Sequence, residues 1–277
     1  MLKESNDFDT RINNVISFHS WCVSRLIPRD RTYAKEILNS IGASQSATDR
    51  ERAQIALSYH CLSLLDVFWV KEENEKIRFK DINLFAHSLS NALVDIALRG
   101  HQMTVTNAHL LANDLSTGGL YPKAWVRKED GFYLYKDGGR DAVKREVLAS
   151  KICRCFDCHQ VLYEQGMFEN ELVSISKIMT SQRYSLVTYA AYDVYCTNHD
   201  WNTLDKILEL DAPSYYMMNI LDYLVGNTDR HWENWGLLVD NETNQPIRLH
   251  DLMDFNRAFQ QYDTPEGANC LTVGNAI

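Results

Sequence analysis

Gly226-Asn227-Thr228-Asp229-Arg230-His231-Trp232-Glu233-Asn234 is the densest polar stretch of the sequence, set between an apolar helical run and an apolar strand-like run. Few of its residues suit a core, yet several can move protons or hold metals. Asp229 precedes Asn234 by five positions, and a further acid, Asp254, follows in Met253-Asp254-Phe255-Asn256. Upstream, Ser214–Val225 puts Met217, Ile220, Leu221 and Leu224 on one helical face, and Asn202–Leu210 reads as a helix before it. Downstream, Trp235–Val239 and Ile247–Met253 read as strands joined by the turn Asp240–Asn244.

Further out, Ser116-Thr117-Gly118-Gly119 is a loop signal. Lys123–Val126 and Gly131–Lys136 read as a β-hairpin across charged Arg127–Asp130. Asp141 then opens a helix through Val143, Val147, Leu148 and Ile152, and Tyr184–Val187 is a short extended segment. Residues 1 to about 115 read as mainly helical. There, Leu57, Cys61, Leu64, Leu65 and Phe68 recur at helical spacing as a core stripe. A second helix runs from an N-cap at Asp81 through Ile82, Phe85, Leu89, Leu93 and Ile96 to a stop at Gly100. Helices, hairpin and helix, helices, hairpin is an α+β order with two lobes, not a repeating βαβ unit.

The 277 residues are 45% hydrophobic and 23% charged, enough for a sizeable core and too apolar for a disordered chain. A net charge of −9 repels polyphosphate backbones, so direct nucleic-acid binding is not expected. No run is long and apolar enough for a membrane span, so no membrane partner is expected. The polar N-terminus and the odd count of seven cysteines point to a reducing cytoplasm. Cys155-Phe-Asp-Cys158-His159 matches a haem-attachment spacing, but it continues an amphipathic helix. Cys155 and Phe156 are therefore read as core residues and the thiols as structural.

Phosphoryl transfer needs a carboxylate to orient the attacking hydroxyl, oxygen ligands for magnesium and a lysine, itself positioned by an acid, against the phosphates. The protein-kinase pattern sets a catalytic Asp five residues before a metal-binding Asn, with a metal-binding Asp following on a hairpin. Asp229, Asn234 and Asp254 reproduce that order. Lys136 ends a strand, and Glu146 lies ten residues on in the next helix, as in a kinase small lobe. Asp251 is the rival of Asp254; the apolar pair Leu252-Met253 before Asp254 favours the latter.

Ser116-Thr-Gly-Gly-Leu-Tyr-Pro122-Lys123, Lys136 with Glu146, Asn227-Thr-Asp229-Arg-His231-Trp-Glu-Asn234 and Ile247-Arg-Leu-His-Asp-Leu-Met-Asp254-Phe together resemble the HipA-type serine/threonine kinases. These are bacterial proteins best known as toxins of toxin–antitoxin pairs, with a distant core in common with phosphatidylinositol kinases. The resemblance covers about residues 113 to 270. It implies a bilobal protein-kinase-like fold: an N-terminal helical region over 1–112, a small lobe over 113–190 and a mostly helical large lobe over 191–277. The helical 1–112 region departs from the β-rich N-terminal subdomain of the best-known members.

The resemblance implies ATP- and Mg2+-dependent transfer of the γ-phosphoryl group to Ser or Thr of a protein. Asp229 is then the catalytic acid, with His231 supporting its loop. Lys136, with Glu146, contacts the ATP phosphates, and Asn234 and Asp254 bind Mg2+. Ser116, Thr117, Gly118 and Gly119 form the phosphate loop, with Ser116 and Thr117 the two candidates for autophosphorylation. The implied partners are a protein substrate and an antitoxin or regulatory protein. Two other classes stay open: a small-molecule or lipid kinase on the same core, and a catalytically silent nucleotide-binding regulator.

Overall fold

The computed structural model describes residues 7–26, 28, 29, 44, 46–87, 121–168 and 170–263. The chain divides into two units, Met1–Asp130 and Gly131–Ile277. The expected phosphate loop, Ser116 to Gly119, lies outside the described residues, as does everything from 88 to 120.

In the first unit, Asp7 caps helix α1 (Phe8–Ser24) by accepting the Thr10 N–H at 2.9 Å. Thr48 and Glu51 cap α2 (Asp49–Ser58) reciprocally, the Thr48 N–H donating to Glu51 Oε2 at 2.6 Å. Helix α2 stops well before the expected stripe is complete. Tyr59 is buried and its hydroxyl donates to the Arg25 carbonyl at 2.8 Å. His60 and Cys61 then take left-handed φ values of 59° and 55°. Cys61 and Leu64 are buried, whereas Leu57 and Phe68 are exposed, so the stripe is not one helical face. Tertiary anchoring overrides local periodicity here. The guanidinium of Arg25 grips Asp66 with two hydrogen bonds of 2.8 and 2.7 Å, and the same carboxylate accepts the Phe68 N–H.

The short helix α3 (Phe79–Ile82) also differs from expectation. Arg78, not Asp81, precedes it, and Asp81 pairs with Arg78 at 2.9 Å. Asn83 ends the helix, and its Oδ1 accepts the Ala86 N–H at 2.9 Å in the turn that follows. Strand β1 (Lys123–Lys128) belongs to this unit.

The second unit begins with β2 (Gly131–Lys136) and α4 (Arg140–Cys153). β3 (Tyr163–Phe168) and β4 (Glu171–Lys177) follow. Both β2 and β3 pair antiparallel with β4, in a register that sets Lys136 and Gln165 opposite Ser174. A second antiparallel sheet has the order β5 (Tyr184–Thr188), β6 (Gly236–Asp240), β7 (Gln245–Leu249). Gly236 pairs with Thr188, and a Cβ at 236 would sit 2.1 Å from the Val187 carbonyl oxygen, so only glycine fits.

Helix α5 (Tyr189–Thr197) leads to α6 (Thr203–Val225), which is two helices across a kink at Asp211, two residues before Pro213. Asp211 caps the second half through the Ser214 N–H at 3.3 Å, and its other oxygen accepts the Leu249 N–H at 2.9 Å. One core of Val147, Tyr163, Met218, Leu221, Trp235, Leu237, Leu249 and Phe255 joins α4 and β3 to α6, β6 and β7. The fold is thus mixed α and β with antiparallel sheets.

Cys155 and Phe156 correct a third expectation. α4 ends at Cys153, and both residues are exposed just beyond it. The six described cysteines are free thiols.

Candidate active site

The polar block lies between α6 and β6. Gly226 ends α6 in the left-handed conformation, φ 58°, and a Cβ there would meet the Tyr262 ring at 2.9 Å. His231, Trp232 and Glu233 of the block are exposed, but Asn227, Arg230 and Asn234, contrary to the expectation that few of its residues pack, are nearly inaccessible. A hydrogen-bond network satisfies them. Asp222, on the last turn of α6, accepts from Asn227 Nδ2 at 2.9 Å and from Arg230 Nε at 2.8 Å and Nη2 at 3.0 Å. Arg230 Nη1 reaches two carbonyls, Asn234 at 2.8 Å and Met253 at 2.7 Å. One guanidinium therefore fixes both the Asp229–Asn234 loop and the loop that ends in Asp254. Burial opposes the charge on Arg230, but the Asp222 carboxylate outweighs it and holds the pKa above its usual value.

Asn234 donates its side-chain amide to the Asp229 carbonyl at 2.8 Å, closing the five-residue loop on itself. The N–H groups of Tyr189 and Ala190, at the start of α5, donate to the Trp235 and Trp232 carbonyls at 2.8 and 3.1 Å. Tyr189 also stacks on Trp235 at 4.4 Å between ring centroids. His231 is exposed, and its Nδ1 accepts the Glu233 N–H at 3.2 Å. Asp229 is partly exposed and faces Arg257 Nη1 at 3.5 Å.

Lys136, at the end of β2, is 5% exposed and lies between two carboxylates. It donates to Glu146 Oε1 at 3.0 Å and to Asp254 Oδ1 in a short contact. Glu146 is itself oriented by Ser174, whose hydroxyl donates to Oε2 at 2.6 Å from the strand position opposite Lys136. Burial opposes the ammonium, but the two carboxylates prevail and hold the Lys136 pKa above its ordinary value. Asp254 has a left-handed φ of 61°, uncommon away from glycine and costly unless its surroundings hold it. Tyr163 supplies that hold: its hydroxyl oxygen accepts the Asp254 N–H at 3.1 Å. Asp251, the rival acid, pairs with Arg248 at 2.8 Å, away from Lys136.

Lys136, Glu146, Asn234, Asp254 and Asp229 are thus linked within one unit through side chains of α4, α6, β2, β3 and β4. Asn234 Oδ1 and the Asp254 carboxylate are hard oxygen donors, the kind Mg2+ takes when it also keeps phosphate oxygens. Among the described residues, no group of three or more His, Cys, Asp or Glu is placed to hold a metal ion.

The solved structures that resemble this chain include two of bacterial proteins. One is HipA of a Shewanella oneidensis MR-1 toxin–antitoxin system, solved with HipB and its operator DNA. It matches at 12% identity and a TM-score of 0.47 over 89% of this chain and 65% of that one. The other is CtkA, a Helicobacter pylori proinflammatory kinase, at 18% identity and a TM-score of 0.40 over 50% of this chain and 55% of that one. This chain therefore spans less than two thirds of either. No protein-family model and no curated protein matches it.

Asp222, Arg230, Tyr163 and Ser174 were not singled out from sequence. Arg230 stood inside the quoted block, but nothing local marked it as the brace. Among the described residues, no helix is long and apolar enough to cross a membrane.

Proposed function

We propose that this chain is a HipA-like kinase that moves the γ-phosphoryl group of ATP to a Ser or Thr hydroxyl of a protein. The observation that carries the reading is Lys136, buried and shared between Glu146 and Asp254. A buried lysine paired to a helix glutamate and to the acid after a hairpin is what a phosphate-binding ammonium requires. The resemblance makes residues 113–190 the small lobe and 191–277 the large lobe. The sequence resemblance alone assigns Ser116, Thr117, Gly118 and Gly119 to the phosphate loop and makes Ser116 and Thr117 the autophosphorylation candidates; all four lie outside the described residues.

Asp229 takes the proton of the attacking hydroxyl. The hydroxyl oxygen bonds to the γ-phosphorus as the bond to the β-bridging oxygen breaks, and ADP leaves with that electron pair. Asn234 and Asp254 would hold Mg2+, which neutralises charge on the phosphate oxygens when bound. Asn227 keeps the Asp229 loop closed, its Oδ1 accepting the Asp229 N–H at 3.3 Å. Arg230 sets the spacing of the two acid-bearing loops, and His231 braces the turn beside them. The protein acceptor, an antitoxin-like regulatory partner and a cytoplasmic setting follow the sequence resemblance.

Incubation with γ-labelled ATP and Mg2+, then mass spectrometry, tests the reading. Label on Ser or Thr of a protein, lost in Asp229→Ala, is the expected result. Label on an extracted small molecule, or label that persists in Asp229→Ala, contradicts it.

A further inference from the structure

Arg257 follows Asp254 by three residues, and the reaction described above leaves it without a role. Its Nη1 meets Asp229 Oδ1 at 3.5 Å through one nitrogen, with 44% of its side chain exposed. An exposed, single-contact pair of this kind is worth only about 0–1 kcal/mol and exchanges readily. Of the other cations of the site, Arg230 is fully engaged and Lys136 is already assigned to the nucleotide phosphates. Lys136 is buried between two carboxylates, and Arg230 is buried against Asp222 and two carbonyls. With Arg230 and Asp222 cancelling, Lys136 and Arg257 face Asp229, Glu146 and Asp254, which leaves the site one unit negative. Even with one Mg2+ held at Asn234 and Asp254, a triphosphate entering that field adds net negative charge, which a further cation able to turn toward it offsets.

Distance favours Arg257. A hydroxyl giving its proton to Asp229 lies about 2.6–3.2 Å from the carboxylate. The phosphorus it attacks lies about 3–3.5 Å further on. A guanidinium already beside the same carboxylate reaches those phosphoryl oxygens by side-chain rotation alone, and its planar fork matches them. Resting on the kinase reading, we propose that Arg257 leaves Asp229 when nucleotide binds and clamps the transferring phosphoryl group. One rotation then frees the carboxylate and supplies the missing charge. Arg257 forms and breaks no covalent bond in this step.

Full-length wild type, Arg257→Ala and Arg257→Lys are compared for turnover of γ-labelled ATP. The same proteins are compared for binding of ADP with Mg2+, with and without aluminium fluoride as a mimic of the transferring group. In Arg257→Ala, affinity for ADP alone should stay within about threefold, because the clamp touches only the group in flight. Affinity for the fluoride complex, and turnover, should fall about 10²–10³-fold. Arg257→Lys should fold as wild type and recover only part of both, because a point charge lacks the fork. Equal affinity of wild type and Arg257→Ala for the fluoride complex overturns the assignment, as does faster turnover in Arg257→Ala. If wild type turns over no ATP, the kinase reading fails while the fluoride comparison still decides the role of Arg257.

Discussion

Each unit buries a basic side chain against acids, and the two do it differently. In the first, Arg25 and Asp66 meet fork to fork, and the spare capacity of Asp66 goes to the Phe68 N–H. That set is closed on the acid's side: both Asp66 oxygens are taken by the guanidinium, and one also holds a backbone N–H. In the second, one ammonium is divided between Glu146 on a helix and Asp254 on a loop of left-handed backbone. That set is open, because a point charge shared by two carboxylates can give one of them up to a cation or a phosphate. A closed pair holds a fold together, and an open one is suited to exchange partners during a reaction.

The comparison breaks most sharply at Asp229. Asp229→Ala should lower phosphate transfer about 10⁴-fold while changing stability by less than about 1 kcal/mol, since the acid is half-exposed and its one ion pair is loose. Turnover of labelled ATP alongside urea unfolding checks both halves. Asp66→Ala should do the reverse. Removing the carboxylate that grips the buried Arg25 costs about 3–5 kcal/mol, read as an earlier unfolding midpoint, and leaves ADP binding by refolded protein intact.

A buried ionisable group whose burial outweighs the acid beside it sharpens the contrast. His250 bonds the Asp251 carbonyl through Nδ1 at 2.7 Å, so that nitrogen carries the proton, and Nε2 is buried with no partner. Burial, helped by the nearby Arg230 charge, pushes its pKa down from 6.5 to about 4. Above pH 7 both folded and unfolded forms are neutral there. Between pH 6.5 and 4 the unfolded chain takes up a proton that the folded chain refuses, so stability falls with pH in that window. The loss reaches about 3 kcal/mol, and urea unfolding at pH 7 and pH 5 should show a slope that His250→Leu flattens.

The smallest effect concerns the hold on Asp254. Tyr163→Phe removes the acceptor of a backbone N–H and should cost about 1 kcal/mol. It should also raise the apparent Mg2+ requirement about tenfold, because the acid loses the group that orients it. Titration of turnover against Mg2+ checks this.

Sequence alone set out Asp229, Asn234 and Asp254 by spacing, and Lys136 with Glu146 by a strand followed by a helix. The α6 segment was legible as two helices because Asp211 and Pro213 are both breakers. What stayed hidden was whatever depends on contacts across the fold. Arg230 became a brace only once α6 and the loop before Asp254 met around it. Tyr163 and Ser174 reach the site through strand register, which no local pattern specifies. The Leu57–Phe68 stripe misled because Tyr59 and Asp66 are anchored to Arg25, and that anchoring bends the chain out of the helix its spacing suggests.

The Arg230 guanidinium also limits how the protein can move. With the Asn234 and Met253 carbonyls both on one buried nitrogen, at 2.8 and 2.7 Å, neither loop can travel alone without breaking a bond water cannot replace. Opening and closing around a ligand must therefore carry the two loops together, as a single jaw.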